Sequence, residues 1–141
     1  MNGIKLVVFD LDGVLLDFCD IHRDSLNDAI SKIAGPEFCI SNEEHNSNYN
    51  GRNTRVKLEM LHTKLGLSHD LFDPIFKMKQ IATANAVRST VQPSKELKKI
   101  LGYIRSSGIQ IACATNSIRT TLDSALEKLE IQSFFDFTLS K

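Results

Sequence analysis

The sequence has no tryptophan, three prolines and three cysteines in 141 residues, and no net charge, with 17 Lys and Arg against 17 Asp and Glu. Each shortage excludes something. Cys19, Cys39 and Cys113 are odd in number, widely spaced and without a CxxC pair, which suits reduced thiols and argues against a disulfide framework. A balanced charge argues against a general polyanion binder, so nucleic acid is not an expected partner. The longest strongly apolar run near the start, Ile4 to Phe9, is far too short to cross a bilayer, and no charged region with a cleavable apolar core precedes it. No membrane association is expected. Internal repeats and low-complexity stretches are also missing. These absences fit a soluble, cytoplasmic protein and leave its oligomeric state open.

What is present is ordinary for a globular chain: 42% apolar and 24% charged residues. The length suits one domain, or one domain with a small insertion, burying roughly two-thirds of the surface of the unfolded chain. The zero net charge conceals an uneven distribution. Residues 1–50 carry nine acids and three bases, whereas residues 51–108 carry eleven bases and four acids. Such blocks either place a cation site near an anion site or form two solvated helix faces.

Hydrophobic periodicity predicts strands alternating with helices. Ile4 to Phe9 is apolar on both faces, the pattern of a strand buried in the middle of a parallel sheet. Helices are expected over Ile21–Ala34, Thr54–Leu65, ended by Gly66, and Asp70 to about Arg88, with Pro74 in the first turn of the last. Ser94 is placed to cap a further helix that Gly108 closes. Ile109–Thr115 reads as a second strand, Ile118–Leu129 as an amphipathic helix and Phe135–Ser140 as the start of a third strand. Such an alternation implies a parallel sheet, which places ligands at the carboxyl ends of its strands. Asp10 and Thr115 both stand at such ends.

The most informative stretch is Phe9-Asp10-Leu11-Asp12-Gly13-Val14-Leu15-Leu16-Asp17. Two carboxylates two residues apart, after an apolar strand, disfavour each other's ionisation unless a cation or a reaction uses them. A bare DxDG is common as turn punctuation. The strand before it and the apolar triplet after it make the fuller hhhhDxDGhhhD pattern far more selective.

That pattern resembles the first motif of the haloacid-dehalogenase-like superfamily, most of whose members are Mg2+-dependent phosphatases and phosphomutases. The resemblance implies an α/β fold, a Rossmann-like parallel sheet with an inserted α-helical cap of the C1 type. It implies core segments at residues 1–17 and 91–141 around a cap at 18–90. By position Asp10 would be the nucleophile, forming an aspartyl-phosphate, and Asp12 the general acid and base, both contributing to an Mg2+ site. Dehalogenases characteristically lack the second Asp and P-type ATPases have Thr there, so Asp12 favours phosphoryl transfer on a small phosphorylated metabolite.

Ala114-Thr115-Asn116-Ser117 resembles the second motif, in which a hydroxyl and the next backbone N–H hold phosphate; alone it would equally be an N-cap. Within the cap, His22 and the segment Gly51-Arg52-Asn53-Thr54-Arg55 resemble the substrate-facing elements of the branch containing β-phosphoglucomutase and phosphoglycolate phosphatase. His22, Gly51, Arg52 and Arg55 are accordingly candidate substrate contacts. The family's later Lys and acidic pair have no counterpart in the 141 residues, which therefore read as the N-terminal two-thirds of a family member. Three functions stay open: a phosphatase, a phosphomutase of the same fold, or a truncated non-catalytic binding domain.

Overall fold

A computed structural model describes residues 3–141. The chain divides into two compact units, one built from the segment up to Phe18 together with Val87–Lys141 and the other from Cys19–Ala86.

The first unit holds a three-stranded parallel sheet in the order β1 (Leu6–Phe9), β2 (Gln110–Ala114) and β3 (Phe137–Leu139). Phe9 pairs with Cys113, and Cys113 with Thr138, so the three carboxyl ends lie side by side. Two helices belong to this unit, α5 (Lys95–Ser106) and α6 (Arg119–Lys128), numbered to follow the four α-helices that precede them in the chain. Ser94 caps α5 as its sequence suggests, its hydroxyl accepting from Leu97 N–H at 3.2 Å. Leu101, Ile111, Leu122, Leu126 and Ile131 are fully or almost fully buried and form the apolar interior with Leu11.

The expectation of a centrally buried first strand needs correction. β1 is an edge strand with one described neighbour, and its residues alternate between exposed and half-buried. Strand register puts Leu6, Val8, Phe137 and Leu139 on one face, 40–58% exposed. The two-faced apolar pattern records what the strand is suited to pack against, and only one side is covered by these residues.

The second unit is helical throughout. It contains α1 (Cys19–Ile33), the short α2 (Asn42–Glu44), a π-helical turn (His45–Tyr49), α3 (Thr54–Leu65) and α4 (Phe72–Thr90), the last of which runs on into the first unit. Asn53 caps α3 by accepting from Val56 N–H at 3.0 Å, and Gly66 ends it in a left-handed conformation. Its core is closed and apolar: Leu26, Ala29 and Ile30 of α1 meet Leu58 and Leu61 of α3, Ile75 of α4, and Leu67. Among the described residues no helix is long and apolar enough to cross a membrane.

Candidate active site

The site is assembled at the carboxyl ends of β1 and β2. Immediately after β1 the chain turns tightly: Leu15 and Leu16 N–H donate to Leu11 O at 3.0 and 3.1 Å, and Gly13 N–H donates to Leu16 O at 2.6 Å. Gly13 takes φ +78°, a backbone conformation that side-chain-bearing residues rarely adopt. Leu11 and Leu15 point inward and anchor the turn. The aspartates between and before them are thereby left at the strand end.

Asp10 is exposed, with Oδ1 accepting from Leu11 N–H at 2.6 Å. Asp12 is half-buried, and its Oδ2 accepts from Ser117 Oγ at 3.0 Å. That hydrogen bond joins the loop after β1 to the loop after β2, across 105 positions of sequence. Thr115 is fixed from both sides: its N–H donates to Leu139 O at 3.0 Å, and its Oγ1 accepts from Ser117 N–H at 3.1 Å. Asn116 is exposed beside it.

Thr115, Asn116 and Ser117 do not cap the helix that follows. The N-cap of α6 is Ile118, and no side chain accepts from its first turn. Backbone N–H groups at the start of α6 therefore keep the partial positive charge that favours an anion nearby. Cys113, paired with Phe9, registers the two acids: burial and then the charges of Asp10 and Asp12 push its thiol up to about 11. Both carboxylates thus act electrically on the same point of β2.

Asp136 plays a different part. Its Oδ2 accepts from Ile111 N–H at 2.8 Å, tying the start of β3 to β2 at the end opposite Asp10. Among the described residues no three His, Cys, Asp or Glu side chains converge on a point that could hold a metal ion. Asp10 and Asp12 provide hard oxygen donors suited to Mg2+, which keeps several waters when few carboxylates are offered. The donor chemistry fits, as a partial set.

The candidate residues of the helical unit fall into separate groups. Gly51 takes φ +74° between the π-helical turn and α3. Arg52 Nε donates to Asn48 O at 2.8 Å. Arg55 pairs with Asp73, lies 5.1 Å from the Phe76 ring centroid and borders an open, mainly apolar groove of about 630 Å3 with Val56, Met60 and Lys64. His22 is elsewhere in the unit, its Nδ1 3.2 Å from Lys79 Nζ. Sequence reasoning missed Ser117, whose role depends on a contact no local pattern encodes, and it missed the buried Lys57 and Lys79. Two lysines at helical core positions were the available signal.

A parallel sheet with an acidic loop after its first strand, a hydroxyl loop after its second and a helical insertion between them defines a haloacid-dehalogenase-type α/β protein. The family profile described as haloacid dehalogenase-like hydrolase matches residues 7–141, and the chain belongs to that family. Among solved structures, CbbY from Rhodobacter sphaeroides in complex with phosphate superposes with a TM-score of 0.83 at 14% identity, over 98% of this chain and 64% of that one. A mutant of the same protein in complex with xylulose-(1,5)bisphosphate gives 0.82 at 14% identity, over 98% and 64%. A predicted phosphoglycolate phosphatase from Haemophilus somnus 129pt gives 0.81 at 21% identity, over 99% and 64%. These chains share the fold, and the present one spans slightly less than two-thirds of their length. No curated protein matches in sequence.

Proposed function

We propose that the chain carries the phosphoryl-transfer residues of a Mg2+-dependent phosphatase acting on a small phosphorylated metabolite. The observation that supports this most is the meeting of the Asp10–Asp12 turn and the Thr115–Ser117 loop at adjacent strand ends, joined by the hydrogen bond from Ser117 to Asp12. Solved chains of the same fold hold phosphate and a sugar bisphosphate, which is consistent with the reading.

In the proposed reaction an Asp10 carboxylate oxygen attacks phosphorus while the ester P–O bond breaks, and Asp12 gives its proton to the leaving oxygen. Water then attacks phosphorus, Asp12 takes up the proton, and the bond to Asp10 breaks to release phosphate. Ser117 orients Asp12 for both steps. Thr115 and Asn116, with the N–H groups at the start of α6, receive the phosphoryl oxygens. A bound Mg2+, held by Asp10 and Asp12, supplies the positive charge that lets two acids and a phosphate share the space. In the helical unit His22, Gly51, Arg52 and Arg55 are the proposed determinants of which metabolite is accepted.

Hydrolysis of p-nitrophenyl phosphate is the direct test. Activity should require Mg2+ and fall to background in Asp10→Asn. Undiminished activity in that variant would exclude the reading, and transfer to a second substrate hydroxyl in preference to water would make the protein a phosphomutase.

A further inference from the structure

The three cysteines stand in unlike surroundings. Cys113 is wholly buried in β2, and burial and then the charges of Asp10 and Asp12 push its thiol up. Cys39 is half-buried, donates from Sγ to Asn27 O at 3.5 Å, and is pushed up by burial and then by the charge of Glu37. Both sulfurs are thus surrounded by groups that favour the protonated thiol. Cys19, the first residue of α1, is also half-buried, but its sulfur meets a ring nitrogen: His45 Nδ1 lies 3.9 Å from Sγ.

The tautomer of His45 follows from its other neighbour. Its Nε2 is 3.1 Å from Lys57 Nζ. An ammonium offers N–H donors and no acceptor, so Nε2 accepts and the ring proton is left on Nδ1, on the side of the sulfur. Burial and then the charge of Lys57 make His45 easier to deprotonate than usual, which keeps the ring neutral and that tautomer in place. The thiol in turn donates to Asn46 Oδ1 at 3.8 Å. Lys57, His45, Cys19 and Asn46 therefore form one chain of donors and acceptors within the helical unit, with a nucleophilic atom in it. His45 is 1% and Lys57 6% exposed, so the two groups behind the sulfur are shut away from water while Cys19 keeps access to it. Burial makes Lys57 easier to deprotonate, and negative charge at Cys19 acts on it in the opposite direction. No carboxylate among the described residues pairs with Lys57, so a thiolate at Cys19 is the anion this buried cation meets. Reactive cysteines in general combine a helix N-terminus, a cationic or imidazole neighbour and partial exposure.

We infer that Cys19 is a modification site, oxidised by hydrogen peroxide to a sulfenic acid with His45 and Lys57 as its proton relay. The thiol proton passes to solvent, and the thiolate sulfur attacks one peroxide oxygen. The S–O bond forms as the O–O bond breaks, and sulfur gives two electrons to the peroxide. The departing hydroxide takes the proton of His45 Nδ1 and leaves as water, while Lys57 passes a proton to Nε2 and regains one from solvent. The site uses none of the residues assigned to phosphoryl transfer, so it stands or falls apart from that reading.

The test exposes the reduced 141-residue chain to hydrogen peroxide with dimedone present to trap sulfenic acid, and follows each cysteine peptide by mass spectrometry. Cys19 should gain the adduct at least about tenfold faster than Cys39 or Cys113. His45→Phe, which keeps the ring and removes the N–H, should slow Cys19 about tenfold and leave Cys39 unchanged. Cys39 lies in the same helical unit and so reports on its integrity: a rise in its rate would mark a loosened fold. Lys57→Met then serves as the second variant, in which Nε2 loses its donor and Cys19 should slow about threefold. Equal rates at Cys19 and Cys39 in the parent would overturn the inference. So would an adduct that forms first on Cys39 or Cys113, or a Cys19 rate that neither His45→Phe nor Lys57→Met lowers.

Discussion

The two units distribute charge and apolar surface in opposite ways. In the sheet unit Asp10 lies in the open and one face of the sheet presents Leu6, Val8, Phe137 and Leu139 to solvent. In the helical unit the apolar residues close on one another, and it is cations that are buried, at Lys57 and Lys79. Exposed carboxylates at strand ends are inexpensive to hold and available for chemistry. Buried lysines are costly and persist only where something compensates them. The sheet unit therefore sets out its candidate acids by position, whereas the helical unit carries the cost of its buried cations inside.

The contrast can be broken most forcefully in the helical core. Leu58→Ala should lower stability by about 2–5 kcal/mol, because Leu58 is wholly buried in the apolar core of the unit and its truncation removes packed volume there. Urea unfolding measures this. A smaller loss is expected at the link between the two loops of the sheet unit. Ser117→Ala removes the hydrogen bond to Asp12 and should cost about 1 kcal/mol of stability. It should also slow p-nitrophenyl phosphate hydrolysis about tenfold, the equivalent of about 1.4 kcal/mol of barrier.

Titration should separate the units without any mutation. Cys113 has a thiol raised from its ordinary value to about 11, so above pH 9 the unfolded chain loses this proton before the folded one does. Stability of the sheet unit should fall as pH rises from 9 towards 11, and Cys113→Ala should flatten that fall. His45 and Lys57 act with the opposite slope. Each is held below its ordinary value in the fold, so the unfolded chain binds the extra proton more readily. Acidification below pH 6.5 should loosen the helical unit through His45, and alkaline pH approaching 10.5 should tighten it through Lys57. Hydrogen exchange resolved by segment reads both slopes. The smallest effect belongs to the open sheet face: Val8→Ala, at a residue 55% exposed, should change stability by no more than about 0.5 kcal/mol. A loss comparable with that of Leu58→Ala would show that this face is covered in solution.

Much of the architecture is legible in local pattern. The helix Thr54–Leu65 has the limits its periodicity and Gly66 indicate, Ser94 caps the helix it precedes, and the three strands occur in the expected segments. Those features are decided within a few residues of sequence. Strand order is not, which is why Ile4–Phe9 suggests a central strand although β1 lies at an edge of the described sheet. The π-helical turn at His45–Tyr49 escapes periodicity altogether, since its spacing matches neither helix nor strand. At the site, the Asp10–Asp12 turn is visible because strand, acids and glycine are contiguous. The hydrogen bond from Ser117 to Asp12 is invisible because its acceptor is brought from elsewhere in the chain. Asp136 shows the converse: an acid of suitable type whose carboxylate is spent on Ile111 N–H.

The central claim is that the exposed acid at the end of β1 is a nucleophile. The most direct measurement is mass spectrometry of the chain quenched during exposure to a phosphate ester and Mg2+. The expected result is a single phosphoryl group on the peptide containing Asp10, absent from Asp10→Asn. A phosphoryl group on any other residue, or one that survives in Asp10→Asn, would contradict it.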